Sequence, residues 1–331
     1  MSEWRADPAT GRWIVVADEL PLARRDFVVD GVARPLDTPC PFCEGHELVA
    51  GREIAAVRDS GVPDEPGWRL RVVPNRVPAL RVEAGSETVA DGLHVHRPGL
   101  GAHEVVIEDP RHDWSWYAMN AAEIGRVLEA WRGRIADLAR DTRLRSAVAF
   151  KSHGAEAGAR LVHTHSQVVA TPMVPPGLEA EVQGAARHHA ATGRCLGCDL
   201  VATERATGLR VVVDGPGAVA LTPFASGWPF TVWVVPVRHL ARFDQAAEDD
   251  IATAAATIVE VLARLARALE RPAFHAVLHT APYGVAADGP FHWFVEVVPR
   301  VLRPSGLALG VGLPINPVAP ERAARVLRGE A

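Results

Sequence analysis

The chain has 331 residues, 48% of them hydrophobic, with 26 prolines, 28 glycines and a formal net charge of -5. That length buries a sizeable core, as one large domain or as two of about 150 residues each. An acidic balance with no lysine/arginine block argues against non-specific nucleic-acid binding and leaves small-molecule chemistry as the better expectation. The opening Met1-Ser2-Glu3-Trp4-Arg5-Ala6-Asp7 has no basic segment leading into an apolar run, so no signal peptide is expected. The apolar stretches fall short of the ~20 residues that a spanning helix needs. Together these lead to the expectation of a cytoplasmic protein that binds no membrane.

In chain order, the first notable pair is Cys40-Pro41-Phe42-Cys43. Strand-like segments follow at 70–73 and 105–108, then His112. Ile124, Val127, Leu128, Trp131, Ile135 and Leu138 fall on one face of a helix, with Asn120 as N-cap and Glu123 completing a capping box. A strand near 147–151 leads to a glycine-bearing loop, 154–160, and then to His163-Thr164-His165-Ser166-Gln167. Residues 171–177, with three prolines, make a break. A second series begins at Cys195-Leu196-Gly197-Cys198, with strand-like 209–213 and 230–235, then His239. Ile251, Ala254, Ala255, Ile258, Val261, Leu262, Leu265 and Leu269 mark a second helix that should stop near Arg271-Pro272. A strand near 273–278 leads to His292.

The two series have the same order. His112 to His163 spans 51 residues and His239 to His292 spans 53. The expected fold is therefore α+β: a tandem duplication, mostly antiparallel sheet with one long helix per half, divided as 1–178 and 179–331. In a reducing compartment a CxxC pair is a redox motif or half of a metal site, and two pairs 155 residues apart suit metal better. Thiolate and imidazole donors suit zinc. The expected ligands are Cys40, Cys43, His112 and His163 in one site, and Cys195, Cys198, His239 and His292 in the other, giving two structural zinc ions per chain.

The copies differ at their ends. Where the first has His163, His165 and Gln167, the second has His292, Phe294 and Glu296. Residues two apart share a face of a strand, and the metal uses only the first histidine. His165 then serves as a nucleophile towards a phosphoryl centre, and Gln167 as a donor to a phosphoryl oxygen. The loop offers Gly158 for close backbone approach to phosphate and Arg160 for charge.

These residues resemble a known family. Cys40-Pro41-Phe42-Cys43, Val73-Pro74-Asn75-Arg76, Gly101-Ala102-His103-Glu104-Val105 and His163-Thr164-His165-Ser166-Gln167 are similar to the galactose-1-phosphate uridylyltransferases, the transferase branch of the histidine-triad superfamily. The tail, His292-Trp293-Phe294 with the run 310–317, is similar to the related ADP-glucose phosphorylases. The resemblance implies two histidine-triad-like halves, a homodimer, and ping-pong transfer of a nucleoside monophosphate (NMP) between an NDP-sugar and a sugar-1-phosphate or phosphate. It makes His165 the covalent carrier, with Gln167 on the phosphate and Asn75 on the nucleoside. With it, Arg76, Lys151, Ser152, Gly158 and Arg160 are expected at the substrate, and the second metal is zinc or iron. Three positions depart from the family pattern: Ser152 replaces an asparagine, Arg160 a small serine, and Ala308 a glutamate that holds sugar hydroxyls. The rival expectations are phosphorolysis or hydrolysis of the NDP compound, and a zinc-stabilised binding protein without catalysis.

Overall fold

The computed structural model describes residues 3–6, 13–16, 39–87, 89–91, 93–96 and 98–330, so the opening heptapeptide lies partly outside the described residues. The first elements are β1 (Glu3–Ala6), β2 (Trp13–Val16), α1 (Glu47–Ala50), β3 (Ala55–Arg58), β4 (Trp68–Pro74), β5 (Val89–Asp91) and β6 (His94–His96). Next come β7 (Ala102–Ile107), α2 (Ala121–Leu138), β8 (Ser146–His153), β9 (His165–Thr171), α3 (Pro176–Thr192) and α4 (Leu196–Thr207). Then follow β10 (Val211–Asp214), β11 (Ala218–Leu221), β12 (Val232–Pro236), α5 (Glu248–Leu269), β13 (Phe274–His279) and β14 (Phe294–Pro299). The chain closes with α6 (Gly306–Val311), β15 (Ile315–Asn316) and α7 (Pro320–Arg328).

The fold is α+β. Ten strands make one antiparallel sheet in the order β10-β11-β12-β14-β13-β8-β9-β7-β4-β3. Its central pair, β8 with β13, sets Phe274 opposite His153 and Val277 opposite Phe150. Small sheets β1-β2-β15 and β5-β6 complete the strand pairing of the described residues.

Both long helices form where the apolar spacing places them. Asn120 accepts from the Glu123 N–H while Glu123 accepts from the Asn120 N–H, so α2 has its capping box. Asp250 accepts the Ala247 N–H at the start of α5, and the helix ends at Leu269, where Glu270 and then Arg271 take φ near 60° ahead of Pro272. The two helices pack against each other on one face of the sheet, α2 over β8 and β9 and α5 over β11 and β12. Trp116, Trp131, Ile258, Leu262 and Phe274 are among the fully buried residues of the core between them.

One long helix per half is too few. The second half also contains α3 and α4, whose Leu178, Ala185 and Val201 cover Val219, Leu221, Val235 and Phe294 on the opposite face. Only Leu178, Gly184 and Ala185 of α3 are buried, so its sequence offers no continuous apolar stripe to read. Among the described residues no helix is long and apolar enough to cross a membrane.

Candidate active site and metal groups

Strand β9 alternates cleanly. Ser166, Val168 and Ala170 are buried towards α2, where the Trp131 indole N–H donates to Ser166 Oγ at 2.8 Å, while His165 and Gln167 are half-buried on the other face. Pairing with β7 begins at His165, opposite Ile107. His163, expected on the same strand, lies just before it. Its carbonyl is taken by the next histidine instead: His165 Nδ1 lies 2.8 Å from His163 O. A carbonyl only accepts, so Nδ1 carries the proton and Nε2 keeps its lone pair. Burial pushes the His165 imidazole below its ordinary range, and the charge of Lys151 acts in the same direction against the hydrogen bond to His163. The ring is therefore neutral at neutral pH.

Beneath His165 lies a buried ionic network. Lys151 Nζ is 2.6 Å from Glu108 Oε2, 2.9 Å from Thr164 Oγ1 and 3.1 Å from the His165 carbonyl. Thr164 and the Trp116 indole also donate to Glu108. Lys151 thus lines the cavity at His165, but its ammonium is committed to protein. Burial pushes that ammonium down, and Glu108 opposes the shift.

The cavity has a volume of about 190 Å³ and is lined by Lys151, Ser152, Gly154, Ala159, His163 and His165, among others. Ser152 Oγ is hydrogen-bonded to His275 Nδ1 on β13 at 3.0 Å. The glycine loop does not present all its N–H groups. Those of Ala157, Gly158 and Ala159 close onto Gly154 and Ala155 carbonyls, so Gly158 supplies a left-handed turn (φ 75°) and no free donor. Arg76 and Arg160 are exposed, with no side-chain partner among the described residues. Ala308 lies on α6 and lines a different cavity of about 220 Å³, with Trp228, Arg303 and Ile315.

The two Cys/His groups come together as expected. In each, Cys40-Cys43-His112-His163 and Cys195-Cys198-His239-His292, the ligand atoms lie within 4.8 Å of one another. His163 Nε2 donates to the Asp109 carbonyl at 2.7 Å and His292 Nε2 to the Pro236 carbonyl at 3.0 Å, turning both Nδ1 atoms to sulfur. Cys43 Sγ is 3.2 Å from His112 Nδ1 and 3.6 Å from His163 Nδ1, and Cys198 Sγ is 3.6 Å from His239 Nδ1 and 3.5 Å from His292 Nδ1. A tetrahedral ion with ordinary Zn–S and Zn–N lengths sets S···N edges of about 3.5 Å. Burial and the neighbouring Cys40 push the Cys43 thiol up to about 11. The donor set suits a metal ion in both groups. His46, His153, His275 and His279 belong to neither.

Several residues of the site had no role assigned to them from the sequence. Glu108 and Thr164 hold Lys151, and a lysine directly after the apolar run 147–150 is the one signal that buried partners are needed. His103 Nε2 lies 2.6 Å from Gln167 Oε1. In the second half, His279 stacks on Phe294 with centroids 4.3 Å apart, between Glu181 and Glu296.

The chain is similar to known proteins over its whole length. The family model described as "Galactose-1-phosphate uridyl transferase, N-terminal domain" matches residues 72–175. An ADP-glucose phosphorylase of Arabidopsis thaliana is 32% identical across 98% of this chain and 92% of that protein. A galactose-1-phosphate uridylyltransferase of Thermotoga maritima is 26% identical across 99% and 98%. The crystal structure of an ADP-glucose phosphorylase from A. thaliana with bound ADP-glucose superposes with a TM-score of 0.83, at 31% identity and 99% coverage of each chain.

Proposed function

The chain belongs to the galactose-1-phosphate uridylyltransferase family and is a nucleotidyltransferase, and from that premise we propose that it carries NMP on His165. The observation that carries this reading is the 2.8 Å hydrogen bond from His165 Nδ1 to the His163 carbonyl, which leaves Nε2 unprotonated at the cavity. In the first half-reaction Nε2 attacks the α-phosphorus of an NDP-sugar. A P–N bond forms, the bond from that phosphorus to the bridging oxygen breaks, and sugar-1-phosphate leaves. In the second, an oxygen of a sugar-1-phosphate or of inorganic phosphate attacks the same phosphorus, and the electron pair returns to Nε2. Gln167, with no protein partner for its amide nitrogen among the described residues, donates to a phosphoryl oxygen.

Asn75 and Ser152 are proposed at the nucleotide, Arg76 and Arg160 at its negative charge, and Gly158 as the turn of the loop. Lys151 acts from beneath by holding the His165 carbonyl. Zinc is proposed in both Cys/His groups, two ions per chain, because the donors are two thiolates and two imidazoles each time. Four protein ligands close each site, so a bound ion supplies cross-linking and the placing of His163 beside His165. The two series are read as a tandem duplication of half-domains 1–178 and 179–331, the boundary falling in the first turn of α3. Cytoplasmic residence and a homodimer belong to the same proposal.

A second reading is phosphorolysis, with ADP-glucose as donor and inorganic phosphate as acceptor. Similarity to the A. thaliana ADP-glucose phosphorylase favours it, as does the exposed Arg160, whose side chain has no partner among the described residues. The two separate in one assay with UDP-glucose or ADP-glucose against galactose-1-phosphate or phosphate. ADP and glucose-1-phosphate formed from ADP-glucose and phosphate would establish the second reading, and UDP-galactose from UDP-glucose the first. Free NMP whether or not an acceptor is present would contradict both and establish hydrolysis.

A further inference from the structure

His103, on β7, touches two side chains proposed to bind substrate. Its Nδ1 lies 3.1 Å from the backbone N–H of Ala79. A backbone N–H only donates, so Nδ1 is the acceptor and neutral His103 carries its proton on Nε2. That N–H meets Gln167 Oε1 at 2.6 Å. Asn75 Nδ2 is 3.0 Å from the same ring nitrogen, but Asn75 Oδ1 already accepts the Val77 N–H at 3.0 Å. With Nε2 protonated, the Asn75 contact is one between two N–H groups, and Gln167 is the acceptor.

A carboxamide has two chemically opposite ends on one freely turning bond. Turned one way, Gln167 offers N–H donors to a phosphoryl oxygen; turned the other, it offers a carbonyl oxygen that repels it. With Oε1 held by His103, the donor end is the one left for a ligand. We propose that His103 is a positioning residue, whose Nε2–H fixes the Gln167 carboxamide with its –NH₂ towards the transferring phosphoryl group. This rests on the reading that His165 and Gln167 perform the transfer.

The test is pre-steady-state formation of the nucleotidylated protein from ADP-glucose and, in parallel, from UDP-glucose, scored with whichever donor labels the unaltered protein, with thermal stability and metal content measured alongside. Removing one donor to a developing oxyanion costs about 10²–10³-fold, so Gln167→Ala is expected to slow labelling by about that factor. His103→Phe, which keeps the ring and loses the donor, is expected to slow labelling by about 10²-fold. His103→Gln, which restores an N–H near the Nε2 position, should recover most of it. The diagnostic measurement is His103→Phe in the Gln167→Ala background, where it should slow labelling no further. An equal further loss there, or a wild-type rate for His103→Phe beside a slow Gln167→Ala, would overturn the positioning role and leave the wider reading intact. A wild-type rate for Gln167→Ala, or no label on the unaltered protein, would overturn the wider reading itself.

Discussion

His163 and His165 are two residues apart and make opposite use of the imidazole. Backbone carbonyls decide it: Asp109 O takes the Nε2–H of His163 and frees Nδ1 for sulfur, while His163 O takes the Nδ1–H of His165 and frees Nε2 for the cavity. The spacing of the run made both residues conspicuous. Which nitrogen each presents depends on carbonyls fixed only when β9 pairs with β7, so no reading of the sequence could assign it. The same limit hid the partners of Lys151. Lys151→Met leaves Glu108 buried without its cation, and the expected cost is about 3–5 kcal/mol, read by chemical denaturation. His279 gives a pH test. Burial alone would lower it, but Glu181 and Glu296 more than offset this and push it up to about 10 from an ordinary 6.5. Protons therefore favour the folded state: the stabilisation is complete below pH 6.5 and is lost as pH rises through about 10. The Tm advantage of the protein over His279→Gln should shrink across that window, and a constant difference would show that the charge has no such part.

At the scale of elements, periodicity was enough where one face is buried and the other is not. The alternation of β9 and the stripes of α2 and α5 were legible for that reason, and so was the end of α5 shortly before Pro272. Helix α4 was not, because its sequence is read first as a cysteine motif. It begins at Cys195, which serves as its N-cap, and carries Cys198 in its first turn. Gly197 lies between them, where a Cβ would sit 2.5 Å from His292 Cβ. The glycine is thus required by the approach of this helix to the last ligand. Gly197→Ala should lower bound metal from about two ions per chain to about one, measured by elemental analysis. An unchanged metal content would mean that helix and ligand separate more easily than their packing indicates.

Across the molecule, the two halves of the sheet carry matching Cys/His groups beside unlike neighbours: His165 and Gln167 in one half, Phe294 and Glu296 in the other. Phe294 is stacked on His279 and packed against Trp233, and the Trp233 indole donates to Glu296 at 2.9 Å, so those positions are spent on packing. Repeated spacing made the matching groups legible, and comparison of the two series made the asymmetry legible. The added cover of α3 and α4 was not, since it arises from packing on a face the motifs do not describe. Replacing Cys195 and Cys198 by serine should remove about one metal ion and lower Tm while leaving the rate of histidine labelling within a few-fold. Replacing Cys40 and Cys43 should remove one ion and most of the labelling, because His163 carries the carbonyl that orients His165. The covalent role of His165 is tested by incubating the protein with ADP-glucose or UDP-glucose in the absence of acceptor and mapping the modified peptide by mass spectrometry. One acid-labile nucleotidyl group is expected on His165, discharged by phosphate or sugar-1-phosphate and absent from a folded His165→Gly variant. Turnover by that variant at the unaltered rate, or a nucleotidyl group on another residue, would contradict it.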